Sequence, residues 1–191
     1  NSTADVYNAN MDASNLITRG AGAAASLGSN SFRTTGFKND GISTSNTDYF
    51  QITLSASSGY TLSLSTIDAK FNGTQTFVGT DGVTSQFAYS LDGTNFTLIG
   101  SSFVLTGTVP LTMSQIDLSG ISDLQNISSA TTITIRYYAS GQTTTGGWGF
   151  YSSSSGSYGL AIGGSIDAVA GTPIINISES SLSGFSYEVG S

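Results

Sequence analysis

Short runs in which apolar and polar residues alternate with a period of two recur along the chain, each closed by Gly, Asn, Asp or Ser. That period belongs to half-buried β-strands, whose successive side chains point to opposite faces. Phe50, Ile52 and Leu54 alternate with Gln51 and Thr53, Leu62 and Leu64 flank Ser63, and Ile67, Ala69 and Phe71 oppose Asp68 and Lys70. Phe87, Tyr89 and Leu91 oppose Gln86, Ala88 and Ser90, as Ile133, Ile135 and Tyr137 oppose Thr134, Arg136 and Tyr138. Asp92-Gly93, between the 85–91 and 96–100 runs, is a strong hairpin signal, with Asn72-Gly73 and Asp81-Gly82 as weaker copies. Nothing between 40 and 170 offers a long helical stripe, although 114–126 has room for one short turn of helix. Many short strands with few helices predict an all-β fold, a jelly-roll β-sandwich of two antiparallel sheets.

A chain of 191 residues is long enough to bury a full core as one sandwich domain. The expected domain spans residues 1–170. Gly171-Thr172-Pro173 then reads as a linker, and 171–191 as that linker with the start of a following module. The alternative is that Ile174 to Ser178 pairs with the main sheet as a last edge strand.

Composition narrows the chemistry. The chain has no His, no Cys, and only two glutamates, Glu179 and Glu188, so most of the side chains used for proton transfer are missing. Charged residues make up 9%, against about 25% in an ordinary soluble domain, and Ser, Thr, Asn and Gly must supply the polar surface. A net charge of −7 argues against nucleic acid and anionic membranes as partners, since both require a basic footprint. The lack of cysteine fits an extracellular bacterial protein that relies on core size rather than cross-links. No apolar run reaches the ~18 residues of a membrane span, and a secretion signal would lie upstream of Asn1.

Several segments, taken in order, resemble a recurrent β-sandwich module of secreted and surface-anchored bacterial proteins, common in marine Bacteroidetes and found also in cyanobacteria and planctomycetes. They are Asn15 to Gly22, Asp48 to Leu54, Gly59 to Leu64, Tyr89 to Gly93, Ile116 to Gly120 and Leu160 to Gly164. Leu182 to Gly190 is similar to the opening of the Ig-like module that often follows in type IX-secreted proteins, including hydrolases and nucleases. The resemblance implies an extracellular, multidomain parent. Such modules usually follow the Gly-Tyr strand with several arginines, where this chain has Asp68-Ala69-Lys70-Phe71-Asn72-Gly73. A different ligand is implied.

Glycines on either side of Trp148 predict an uncovered ring on which a sugar could stack, with Tyr151 and Tyr138 as neighbours; the competing reading is a tryptophan that plugs the core. Arg136 and Lys70 are expected on one open sheet face, where they would hold a sulfate or carboxylate assisted by Gln86 and Thr134, against the plain alternative of a cross-strand ion pair. Asp40, Asp48 and Asp167 are candidate ligands for a structural Ca²⁺, although Asp48 serves equally as a strand-edge cap. Paired aspartates could in principle cleave glycosides, but Asp81, Asp92, Asp117 and Asp123 sit where turns explain them. The expected role is therefore a monomeric, non-catalytic carbohydrate-binding module of a secreted polysaccharide-degrading enzyme, with a catalytic domain in the same parent chain. Its rival is a structural spacer or adhesion module without a glycan ligand. The spacer predicts a buried Trp148 and a Lys70 lying apart from Arg136.

Overall fold

The computed structural model describes residues 4–154 and 157–170; the linker, following module and alternative edge strand expected within 171–191 lie outside the described residues. In chain order the strands are β1 (Ile17–Arg19), β2 (Ser31–Thr34), β3 (Tyr49–Leu54), β4 (Tyr60–Gly73), β5 (Val83–Ser90), β6 (Thr97–Leu98), β7 (Phe103–Leu105), β8 (Leu111–Thr112), β9 (Ile116–Asp117), β10 (Ile127–Ser128), β11 (Ile133–Ser140), β12 (Trp148–Tyr151) and β13 (Leu160–Ala168). They form two antiparallel sheets packed face to face, the expected β-sandwich. The first sheet runs β1-β3-β11-β5, with β6 and β7 both on β5; the second is built on β4, with β12 and β13 on one side and β8, β9 and β10 on the other. Strands β1 to β5 alternate between the two sheets, the interleaving of a jelly roll.

The period-two runs are these strands. Phe50, Ile52, Leu62, Leu64, Ile67, Ala69, Phe71, Phe87, Tyr89, Ile133, Ile135 and Tyr137 all face the core. Leu91 departs from its run and is exposed, because the chain has already entered the Asp92-Gly93 turn. That turn joins β5 to β6 as expected, with Gly93 in the left-handed region (φ 72°). The helical turn predicted within 114–126 is a 3₁₀ turn at Ser122–Leu124. A second turn of helix, α1 (Gln75–Val78), tucks Phe77 and Val78 beneath one end of the sandwich. No described helix is long and apolar enough to cross a membrane.

Tyr137 lies at the centre of the core. Its ring centroid is 5.0 Å from Phe71, 5.0 Å from Phe87 and 5.2 Å from Phe150. The phenol oxygen accepts a hydrogen bond from Trp148 Nε1 at 2.9 Å and shares a second bond with Ser85 Oγ at 2.8 Å. Burial pushes the Tyr137 hydroxyl well above the usual phenol range, so it stays protonated and can donate to Ser85.

The two outer faces differ. On the first sheet, segments 38–48 and 91–101 fold over the strands. Gly41 N–H donates to Ser140 Oγ at 3.0 Å, and Gln86 Nε2 donates to the Gly100 carbonyl at 2.7 Å. Thr134, Gln86 and Ser90 on that face are consequently buried. The second sheet keeps polar and aromatic side chains partly open.

Tyr137→Phe removes the partner of two buried polar groups, so the protein is expected to lose about 1–3 kcal/mol in urea denaturation. Ser85→Ala should cost less, because the Trp148 bond survives. Equal losses from the two variants would contradict a central role for the phenol.

Candidate functional site

Two of the aromatic residues expected to bind a sugar are closed off. Trp148 is 0% exposed: β12 turns it inward, where it stacks on Phe71 (5.3 Å, 5° between planes). The glycines beside it serve other neighbours. A Cβ on Gly147 would collide with the Arg33 guanidinium, and one on Gly149 with the Phe32 carbonyl. Tyr138 does project from the outer face of β11, but it too is 0% exposed; its hydroxyl donates to the Thr44 carbonyl at 3.3 Å and its ring meets Tyr49 edge-on at 5.9 Å. Gln86 spends its amide N–H on Gly100.

Lys70 and Arg136 do not share a face. Arg136 is on β11 of the first sheet and Lys70 on β4 of the second, with the whole core between them. Both the burial of Trp148 and this separation are what the spacer reading predicted.

The outer face of the second sheet assembles a different group. Because Phe71 and Phe150 face inward and pair across β4 and β12, Lys70 and Tyr151, each one residue away, project outward together. Lys70 Nζ lies 4.4 Å from the centroid of the Tyr158 ring, and Tyr158 is 43% exposed. The next outward row is Arg33–Gly149–Asn72, so Arg33 adds a second cation from β2. Its guanidinium packs over the bare backbone of Gly147, with Nε buried and unpartnered. Asp68, on the same face, has its carboxylate taken by Gln115 Nε2 at 3.1 and 2.9 Å. Among the described residues no carboxylate forms an ion pair with Lys70 or Arg33. Sequence reasoning found Lys70 and Tyr151 and missed Arg33, Asn72 and Tyr158. Arg33 was legible as the outward residue between Phe32 and Thr34, although the pairing of β2 with β12 was not.

Of the candidate Ca²⁺ ligands, Asp40 and Asp48 belong to one loop, while Asp167 pairs with Thr61 at the far end of the fourteen-residue β4. The three do not converge, and among the described residues no group of three or more acidic side chains is placed to hold a metal. Asp48 itself is 2% exposed and its Oδ2 has no hydrogen-bond partner. Burial raises its pKa and Asp40 raises it further, while a hydrogen bond from its own backbone N–H and then Lys38 partly offset both.

A cleft of about 500 Å³ lies between β7 and the β8–β9 segment, lined by residues such as Phe103, Val104, Leu111 and Ile116, with no titratable side chain in its wall. Compared with known proteins, the chain matches no family model, no curated protein and no solved structure.

A carboxyl whose folded pKa is raised stabilises the fold below its unfolded pKa, and that contribution is lost as pH rises through the folded value. Asp48→Asn is therefore expected to melt higher than the wild type at neutral pH, with the gain shrinking as pH falls through the raised folded pKa and gone by about 3.9. Thermal melts across pH check this, and repeating them with Ca²⁺ tests a cation at the Asp40–Asp48 loop. Metal ligation by Asp48 would raise the wild-type midpoint and leave the Asn variant unmoved.

Proposed function

We propose that this domain is a non-catalytic carbohydrate-binding module that holds an acidic polysaccharide against the outer face of its second sheet. The observation that carries the reading is the pairing of Lys70 with a half-open Tyr158 beside Tyr151. A tyrosine face offers apolar area to the C–H side of a sugar ring at little entropic cost, and its hydroxyl remains free to hydrogen-bond. Lys70 and Arg33 supply positive charge for a sulfate or carboxylate, and Asn72 supplies a neutral donor and acceptor. In a chain of net charge −7, that local concentration of two of its five basic residues selects anionic groups on a polymer while bulk repulsion disfavours nucleic acid.

The proposed ligand is an algal, sulfated polysaccharide. The proposed setting is extracellular, with the module acting as a monomer beside a catalytic domain of the same secreted enzyme. Tethering would raise the local substrate concentration for that partner. The hydroxyl-rich surface and the resemblance to secreted bacterial modules support this setting.

The second reading is a structural spacer, favoured by the burial of Trp148 and the separation of Lys70 from Arg136. Affinity electrophoresis through gels of agar, carrageenan, porphyran, fucoidan, alginate, laminarin and xylan separates the two. The binding module is expected to be retarded in the sulfated gels, with the effect lost in folded Lys70→Ala and Tyr158→Ala variants and weakened by salt. Free migration in every gel would leave the spacer.

A further inference from the structure

On the opposite side of the sandwich, Arg136 is held in an arrangement that neither reading uses. Its guanidinium carbon lies 3.8 Å from the centroid of the Tyr49 ring and 3.7 Å from that of Phe96, so aromatic rings cover both faces of the plane. Nε donates to Gln51 Oε1 at 2.9 Å, which fixes the rotation of the fork within its plane. The Phe96 side of the clamp is rigid for a local reason. The Asp92 carboxylate accepts from Thr94 N–H and Asn95 N–H at 2.8 Å each and from Asn95 Nδ2 at 2.7 Å, pinning the turn that carries Phe96. Asp92 is thereby fully engaged and does not pair with Arg136.

A guanidinium so fixed is unusual in lacking a counter-charge. Among the described residues no carboxylate forms an ion pair with it. The row of outward residues through it reads Thr18, Gln51, Arg136, Ala88 and Leu98, none of them acidic. In a chain of net charge −7, an arginine left unpaired at the centre of a sheet face is not explained by charge balance. A merely structural cation–π plug would need no Gln51 to set its in-plane rotation. With both faces stacked, Nε committed to Gln51 and the Tyr138 hydroxyl beside the guanidinium, the remaining Nη N–H groups at the half-open edge are what Arg136 still presents.

We infer that Arg136 is a preorganised receptor for one anionic group with two coplanar oxygens, a uronate carboxylate or a sulfate ester, taken by the remaining Nη N–H groups of its guanidinium. The two anions share the chemistry that a planar N–H fork recognises and an ammonium does not. The site is separate from the Lys70 face and does not depend on it. Its clamp lowers the cost of binding because the arginine has no rotamer freedom left to lose.

The test exploits the sequence: Arg19, Arg33 and Arg136 are the only arginines, so the Nε–Hε region of a ¹⁵N spectrum holds three side-chain signals. The intact protein is titrated with sodium glucuronate and, separately, with sodium sulfate, against sodium chloride at matched ionic strength. The Arg136 signal is expected to shift saturably with one or both anions while the Arg19 signal, bonded to the Arg33 carbonyl, stays still. Folded Arg136→Lys, followed through the Gln51 side-chain amide, should bind at least about tenfold more weakly, since it keeps the charge and loses the fork. Phe96→Leu, which loosens the clamp without touching the charge, should weaken binding less. An Arg136 signal that moves no more than it does in chloride, or an Arg136→Lys variant that binds as well as the wild type, overturns the inference. Lys70→Ala leaves this readout unchanged, so failure here is distinct from failure on the other face.

Discussion

The buried phenol of Tyr137 is the interaction on which the sandwich depends. It stands on the middle strand of the first sheet, yet its nearest rings include Phe71 and Phe150 of the second, so a single side chain ties the two layers together. Five Phe rings lie within 6.2 Å of it, between centroids, in edge-on, tilted and stacked geometries, each pair worth about 0.5–1.5 kcal/mol beyond its buried area. A hydroxyl in such a place is costly unless satisfied, and Trp148 and Ser85 satisfy it. With no disulfide in the chain, this cluster carries the cohesion that cross-links provide elsewhere.

Because the core claims Trp148, Phe150 and Tyr137, the surface is left with a different set of aromatics. β12 shows this in four residues: Trp148 and Phe150 go in, Gly149 and Tyr151 come out. Gly147 and Gly149 look in sequence like room made for a ligand, whereas in space they are room made for Arg33 and for the close approach of β2. The outward residues Arg33, Lys70, Tyr151 and Tyr158 are thus placed by the same alternation that builds the core. Any binding on that face is a consequence of how the centre packs.

Much of the fold was legible from period alone. The in-and-out assignment of the 50–54, 62–64, 67–71 and 133–137 runs, the Asp92-Gly93 hairpin and the short helical turn near Ser122 all follow from local pattern and turn chemistry. The site was legible only in part. Period gives the face on which Lys70 and Arg136 lie relative to their neighbours but not which sheet each strand joins, and that is set by pairings such as β4 with β12, about 75 residues apart. Nor does period reveal that segment 38–48 folds over Tyr138, so a residue on an outward face can still have no accessible surface. Trp148 misled because bare glycines on both sides signal an open ring only if no other segment fills the space they leave.

The assignment of Trp148 to the core, and of the proposed binding to the outer faces, is tested most directly by the fluorescence of this one tryptophan. Acrylamide quenching of the native protein, alone and with a saturating anionic polysaccharide, reads the accessibility of the ring. A ring buried on Phe71 and bonded to Tyr137 is expected to quench far less than in the urea-unfolded chain, with the same low value whether or not polysaccharide is present. Quenching in the native state as strong as in the unfolded chain, or protection that appears only with polysaccharide, would place Trp148 at the ligand and contradict the architecture described.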